Sequence, residues 1–336
     1  MSSTTLKAIE VNENRIAIAA AIIPFSIAGV LIRLALQRLE TFPGAPVFAL
    51  VYAQWIGCFI MGMAGKLKSP ISLWYQPCHP GITTGLCGSI TTFSSWQLGI
   101  FQEFANFNAY PHTRGKNILA AISEFVVTLA MSLNGLKFGQ HVGEWLTGIL
   151  NSHPTRCFGR QEENKMMSEE KIVPKGWSVR SLTRKDYCTI LFGIACWIGV
   201  ILAAIFTENQ KELALACVFA PVGALLRWML SFVNKKNVTF PLGTYIANIF
   251  GTAVLAALIL SRSGPQLTPI SCNVVEALGD GFCGCLTTIS TFMVELTTLP
   301  RRHSYIYGIL SVVVGQCFMF VILGTYIWTN GARSSC

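Results

Sequence analysis

The stretch "DGFCGCLTTISTF", residues 280–292, is crowded with glycine, threonine, serine and cysteine, yet it lies in one of the most hydrophobic parts of the chain. A related stretch stands much earlier, "TGLCGSITTFSSW" at residues 84–96. Aligned, the two pair Gly85, Cys87, Gly88, Thr91, Thr92 and Ser94 with Gly281, Cys283, Gly284, Thr287, Thr288 and Ser290. In hydrocarbon each unsatisfied backbone group costs several kcal/mol, so a Gly- and Thr-rich break in a spanning helix is tolerated only where protein buries it or a polar path runs beside it. Each copy therefore predicts a helix broken at its middle. Freed carbonyls at two facing breaks make a cation site, and the hydroxyls offer donors to an anion. The alternative is that the small residues merely let helices pack closely.

The rest of the chain supplies that apolar solvent. It has 336 residues, 52% of them hydrophobic and only 12% charged, with a mean hydropathy of +0.52. A soluble chain this apolar would aggregate, so the class is a polytopic all-α membrane protein. Apolar windows of bilayer-crossing length run near 16–38, 46–65, 81–104, 117–137, 187–207, 212–233, 241–261, 273–298 and 304–328, nine spans in all. The mixed-charge leader "MSSTTLKAIEVNENR" has no small-residue cleavage site behind it, so the first span is expected to be a retained helix. The net charge of +9 forms no basic stripe with interleaved aromatics, and nucleic acid is not an expected partner. With nine spans most Lys and Arg, among them Lys66, Lys137, Lys235, Arg301 and Arg302, fall on the side of the N-terminus. That bias predicts a cytoplasmic N-terminus and an extracellular C-terminus. The sequon Asn237-Val238-Thr239 then faces the cytoplasm and stays unmodified.

Enzyme chemistry finds no support. There is no HExxH, GxSxG or Walker loop, and the five histidines do not cluster. The twelve cysteines are scattered, and "CGC" at 283–285 lacks the spacer of a zinc knuckle or redox pair; small buried packing residues are the expectation.

The repeat extends beyond the opening pair. "GVLIRLAL" (29–36) matches "GALLRWML" (223–230), aligning Arg33 with Arg227, and "AQWIG" (53–57) matches "ANIFG" (247–251), aligning Gln54 with Asn248. The expected organisation is a four-helix repeat over 1–138, a cytoplasmic polar loop over 139–186, a single linking transmembrane helix at 187–207 and a second four-helix repeat over 208–336. Parity makes the second repeat inverted: four spans return the chain to its starting side, and one extra helix turns the next four over. Inverted repeats place a ligand path at their interface near the bilayer midplane.

"GFCGCLTTISTF" (281–292), "GTYIANIFG" (243–251) and "GALLR" (223–227) together resemble the Fluc/FEX (CrcB-type) fluoride channels, whose three motifs occur in this order. The resemblance covers all eight repeat helices, with weaker partners in the first half, and leaves out the 139–186 insertion. It implies the fused eukaryotic form, a single-chain pseudo-dimer that lets cytoplasmic fluoride leak outward, driven by the membrane potential. It also implies a structural Na⁺ on the backbone carbonyls of Gly88, Thr91, Gly284 and Thr287. The absence of targeting signals points to the plasma membrane, with lipid as the surrounding partner.

In the family each pore takes one ring from each half. Phe93 and Phe292 then share one pore, while Ile289 and Trp96 share the other, which reads as vestigial. A phenyl edge can face an anion without supplying a charge that would trap it. Asn248 offers an amide donor to the working pore where its counterpart Gln54 departs from the family residue; a buried amide holding helices together is the alternative. Ser94 and Thr291 inside the two ring segments, Tyr307 and Ser311 on one face of the ninth span, Ser123 on the fourth, and Glu295 matching a pore-mouth carboxylate complete the pore candidates. Glu295 aligns with Gly99. Arg33 and Arg227, near helix ends, either snorkel to headgroups or concentrate anions in a vestibule.

Overall fold

The computed structural model describes residues 14–42, 44–107, 113, 115–152, 182–207, 209–234, 239–263 and 267–331. Residues 1–13 of the leader, the segment "RQEENKMMSEEK" and Asn237 lie outside the described residues. Within them the chain is helices and turns, with no strand.

The first repeat runs α1 (Arg15–Glu40), α2 (Val51–Lys66), a short helix Lys68–Trp74, α3 (residues 78–90), α4 (Phe93–Ala105) and α5 (Lys116–Ser152). The linking helix is α6 (Arg184–Phe206). The second repeat runs α7 (Lys211–Asn234), α8 (Leu242–Arg262), α9 (residues 269–286), α10 (Ser290–Thr298) and α11 (Arg301–Asn330). Among the described residues seven helices are long and apolar enough to cross a membrane. Val51–Lys66 has only 16 residues, and the third segment is interrupted between Ile90 and Phe93, so length and composition do not establish the count of nine.

The predicted breaks are present in both repeats. Helix α3 passes through a wide π turn, Gly81–Cys87, and stops at Thr91 and Thr92, whose ψ values of 146° and 130° are extended. Helix α9 does the same through Leu278–Cys283 and stops at Thr287 with ψ 153°. Inversion is visible at the ends of the equivalent helices α1 and α7. Arg15, at the start of α1, lies 4.8 Å over the Phe232 ring near the end of α7; Arg38, near the end of α1, pairs with Glu212 at the start of α7 at 3.2 Å. The two first helices are antiparallel, as inverted repeats require.

The post-break helices exchange partners. α4 of the first repeat packs on α8 and α11 of the second, and α10 of the second packs on α2 and α5 of the first. α6 stays at the periphery against α1 and α7, presenting Leu191, Phe192 and Phe206 outward, as a helix facing lipid does.

One boundary differs from expectation. α5 continues past residue 138 to Ser152, so part of the expected polar loop is helical. Close glycine contacts extend the seam: a Cβ on Gly139 would lie 2.0 Å from the Phe59 carbonyl oxygen, and Lys66 pairs with Glu144 at 2.6 Å. The cysteines also divide. Among the described residues nine are free, five of them buried, whereas Cys272 is disulfide-bonded, so packing does not account for all of them.

Candidate functional site

Where the two breaks cross, their hydroxyls form one pseudo-twofold cluster. Thr91 Oγ1 lies 3.1 Å from Thr288 Oγ1 and donates to Ser290 Oγ at 3.0 Å. On the mirrored side Thr287 Oγ1 lies 2.9 Å from both Thr92 Oγ1 and Ser94 Oγ. Each post-break helix is capped from the other repeat: the Ser94 N–H donates to Thr287 Oγ1 and the Ser290 N–H to Thr91 Oγ1, both at 3.1 Å. The first backbone donors of a helix need such acceptors, and the repeats supply them to one another.

Gln54 and Asn248 make equivalent bonds. Gln54 donates through Nε2 to the Thr92 carbonyl at 2.7 Å and accepts the Thr92 N–H at 3.2 Å. Asn248 donates through Nδ2 to the Thr288 carbonyl at 3.3 Å and accepts the Thr288 N–H at 2.9 Å. Both satisfy the backbone freed by a break, so the helix-holding alternative applies to each of them. The glycine three residues on completes the motif: a Cβ on Gly57 would lie 2.4 Å from Thr91 Cγ2, and one on Gly251 2.3 Å from Thr287 Cγ2.

Arg33 and Arg227 are not at a headgroup or open vestibule; only 1% and 5% of their surfaces are exposed. Each reaches into the broken helix of the opposite repeat. Arg227 donates to the carbonyls of Gly88 at 2.7 Å and Thr84 at 2.6 Å. Arg33 donates to the carbonyl of Asp280, the residue aligned with Thr84, and to that of Ser89 at 3.0 Å. The long spans of α1 and α7 carry these positions well inside the fold, and carbonyls released by the π turns give the guanidinium groups partners there.

This bears on a backbone-held cation. Thr91 and Thr287 fit one, because their N–H groups close the helical ladder while their extended ψ turns the carbonyls away from it. Gly88 and Gly284 fit it poorly: the Gly88 carbonyl already accepts from Arg227, and a Cβ on Gly284 would lie 2.4 Å from Arg33 Nη2. Two guanidinium groups beside those glycines would repel a further cation.

The rings lie together. Phe93 and Phe292 meet edge to face with centroids 5.4 Å apart, and Phe292 is 5.2 Å from Tyr307. Trp96 is edge-on to Phe93 at 5.5 Å and stacked on Phe125. Ile289 is buried in the same cluster, so the two aligned sets are parts of one packed core. Tyr307 donates to Glu295 Oε2 at 2.6 Å, Thr244 donates to Glu295 Oε1 at 2.6 Å, and Ser311 bonds back to the Tyr307 carbonyl. Thr291 is half-buried at the start of α10, and Ser123 is turned to its own helix, donating to the Leu119 carbonyl. An apolar cleft of about 480 Å³ opens beside Phe292, lined also by Phe125, Leu129, Leu296 and Val312.

Three polar side chains, two of them buried, escaped the sequence reading. Glu124 on α5 is 5% exposed and fills the room beside Gly99, where a Cβ would lie 2.5 Å from its Oε1. Gly99 aligns with Glu295, so the buried carboxyl stands on α5 in the first repeat and on α10 in the second. The fully buried Gln97 and the half-buried Gln316 form an amide contact between α4 and α11. Gln97 stands four residues after Phe93, a spacing that places both on one helix face and could have drawn attention to it. Glu124 left no such signal, because only packing brings it to Gly99.

Comparison with known proteins follows the same repeat. The family described as "CrcB-like protein, Camphor Resistance (CrcB)" matches residues 20–136 and 214–325. The chain is 31% identical to "Fluoride export protein 1" of Neurospora crassa, covering 91% of this chain and 66% of the relative, so it spans just under two thirds of that protein. It is 31% identical to "Fluoride export protein 1" of Schizosaccharomyces pombe, over 91% of this chain and 95% of the relative. A bacterial "Fluoride-specific ion channel FluC 1", from Staphylococcus epidermidis, is 38% identical over 31% of this chain and 88% of its own length. No solved structure matches the chain.

Proposed function

Because the chain belongs to the CrcB-like family, we propose that it is a passive, fluoride-selective channel exporting fluoride from the cytoplasm, with one working and one vestigial pore. Relatives named for fluoride export across most of the chain support the ion and the direction. The observation that carries the pore assignment is the edge-to-face pair Phe93–Phe292 at 5.4 Å beside Tyr307, whose aligned counterparts are Trp96 and Ile289. Positive ring edges, the Asn248 amide and the hydroxyls of Ser94, Thr291, Tyr307 and Ser311 replace water around a small anion without a fixed charge to hold it. Ser123, in the other repeat, is the weakest of the pore candidates. Glu295 stands at the mouth of this path, hydrogen-bonded by Tyr307 and Thr244. The chain acts as a single-chain pseudo-dimer in the plasma membrane, with the N-terminus cytoplasmic and the C-terminus outside. A sodium ion at the crossing would be held by Thr91 and Thr287 and would supply positive charge between the breaks.

Fluoride efflux from liposomes holding the purified protein tests this reading; absence of flux from folded protein would turn it toward a non-transporting scaffold. The rival mechanism is a proton-coupled carrier in which Glu295 or Glu276 would take up protons; the buried carboxyl of Glu124 adds a further candidate, since an ionisable group inside a membrane protein is a candidate proton site. A channel's reversal potential follows the fluoride gradient alone. A shift with an imposed pH gradient assigns the carrier instead.

A further inference from the structure

We propose that the Gln97–Gln316 carboxamide pair is a further fluoride-contact point on the working path, with Gln97 as its hydrogen-bond donor. This rests on the fluoride-transport reading above. Gln97 lies on the same face of α4 as Phe93 and is fully buried. Gln316 follows Gly315, which continues the Tyr307–Ser311 face of α11 at i+4.

The orientation of the pair follows from its contacts. Gln316 Nε2 donates at 2.8 Å to the backbone carbonyl of Gln97 and at 2.8 Å to its Oε1. A backbone oxygen cannot be exchanged for nitrogen, so it fixes which end of the Gln316 amide faces Gln97. Gln97 must then present its oxygen, and its NH₂ is turned elsewhere. Among the described residues Gln97 Nε2 and Gln316 Oε1 are buried without a partner. Gln97 also lies against Gly315, where a Cβ would stand 3.1 Å from Oε1 and 3.2 Å from Cδ. Glycine at 315 therefore makes room for the amide beside the track.

The fold does not demand an amide here. The residue aligned with Gln97 is Met293, buried in the same packed cluster as Phe93 and Phe292. A buried donor with no acceptor is costly in a membrane interior, so its presence on one side only points to a partner that comes and goes. A neutral N–H donor suits a dehydrating anion that must also leave. The ion's own water would satisfy the free acceptor of Gln316.

The test is fluoride efflux from liposomes with wild type, Gln97→Met and Gln97→Asn, alongside unfolding temperature and monodispersity. Gln97→Met should lower flux about tenfold, corresponding to about 1.36 kcal/mol of barrier. Flux of folded Gln97→Met within about twofold of wild type overturns the proposal. If Gln97→Met does not fold, Gln97→Asn decides: the fluoride concentration giving half-maximal flux should shift about threefold or more, since shortening the arm weakens a hydrogen bond in the path, and an unshifted value overturns it. Wild type without flux refutes the transport reading itself, a distinct result.

Discussion

Gln54 and Asn248 hold the same backbone groups in their respective repeats, bridging Thr92 and Thr288, and this separates stability from transport. Removing either amide leaves a buried N–H and C=O unpaired, costing about 1–3 kcal/mol for each lost partner. Both Gln54→Ala and Asn248→Ala should therefore lower the unfolding temperature in detergent. Only Asn248→Ala should also reduce fluoride flux per folded molecule, by about tenfold, for one lost donor of about 1.4 kcal/mol; equal flux losses would refute the single working pore. Phe93→Ile and Phe292→Ile should reduce flux by about tenfold as well, read in the same liposomes. Trp96 is not a neutral mirror for them: fully buried against Phe93 and Phe125, it would leave a cavity as alanine costing about 3–5 kcal/mol. The conservative changes Trp96→Phe and Ile289→Val serve as controls, and flux should survive both.

At the scale of the element, the helix breaks depend on the helices beside them. Gly57 on α2 and Gly251 on α8 admit the methyl groups of Thr91 and Thr287, whose hydroxyls are committed to the crossing network. Those threonines cannot rotate away without breaking it. Gly57→Ala should destabilise the protein by about 1–3 kcal/mol, the cost of overpacking a filled site, although alanine is the better helix former. Gly65→Ala on the same helix meets nothing within 4 Å and should be neutral or stabilising. Thermal unfolding of the two variants reads the difference, and equal effects would mean that the break is not wedged against α2.

For the whole molecule, Arg33 and Arg227 brace the repeats by holding carbonyls of the opposite broken helix. Arg227→Lys keeps the charge but cannot reach two carbonyls at once, since the planar fork is lost. It should lower the unfolding temperature, at about 1.5–3 kcal/mol for one charged hydrogen bond, with no change in sign of the anion preference. An unchanged unfolding temperature would argue against the brace. Sodium removal tests the crossing differently: if Thr91 and Thr287 hold Na⁺, flux should fall on its complete removal and return on its restoration. Flux that survives removal would leave the arginines as the sole cations at the centre.

The repeat motifs, read as sequence, were enough for an all-helical membrane chain with two related halves and a broken helix in each. Hydrocarbon offers no partner for loose backbone, so glycine and threonine inside apolar windows carry unusually direct structural meaning. Arg33 and Arg227 were legible as a pair, but their burial was not. Whether a guanidinium snorkels or turns inward depends on carbonyls released in the other repeat, 247 residues away for Arg33 and 143 for Arg227. The same holds for Glu124, whose carboxyl reaches Gly99 from another helix, and for Gln97 with Gln316, separated by 219 residues. Local sequence determines where a helix must break; only the crossing of the two inverted halves decides which polar groups satisfy the break and which donors are left free.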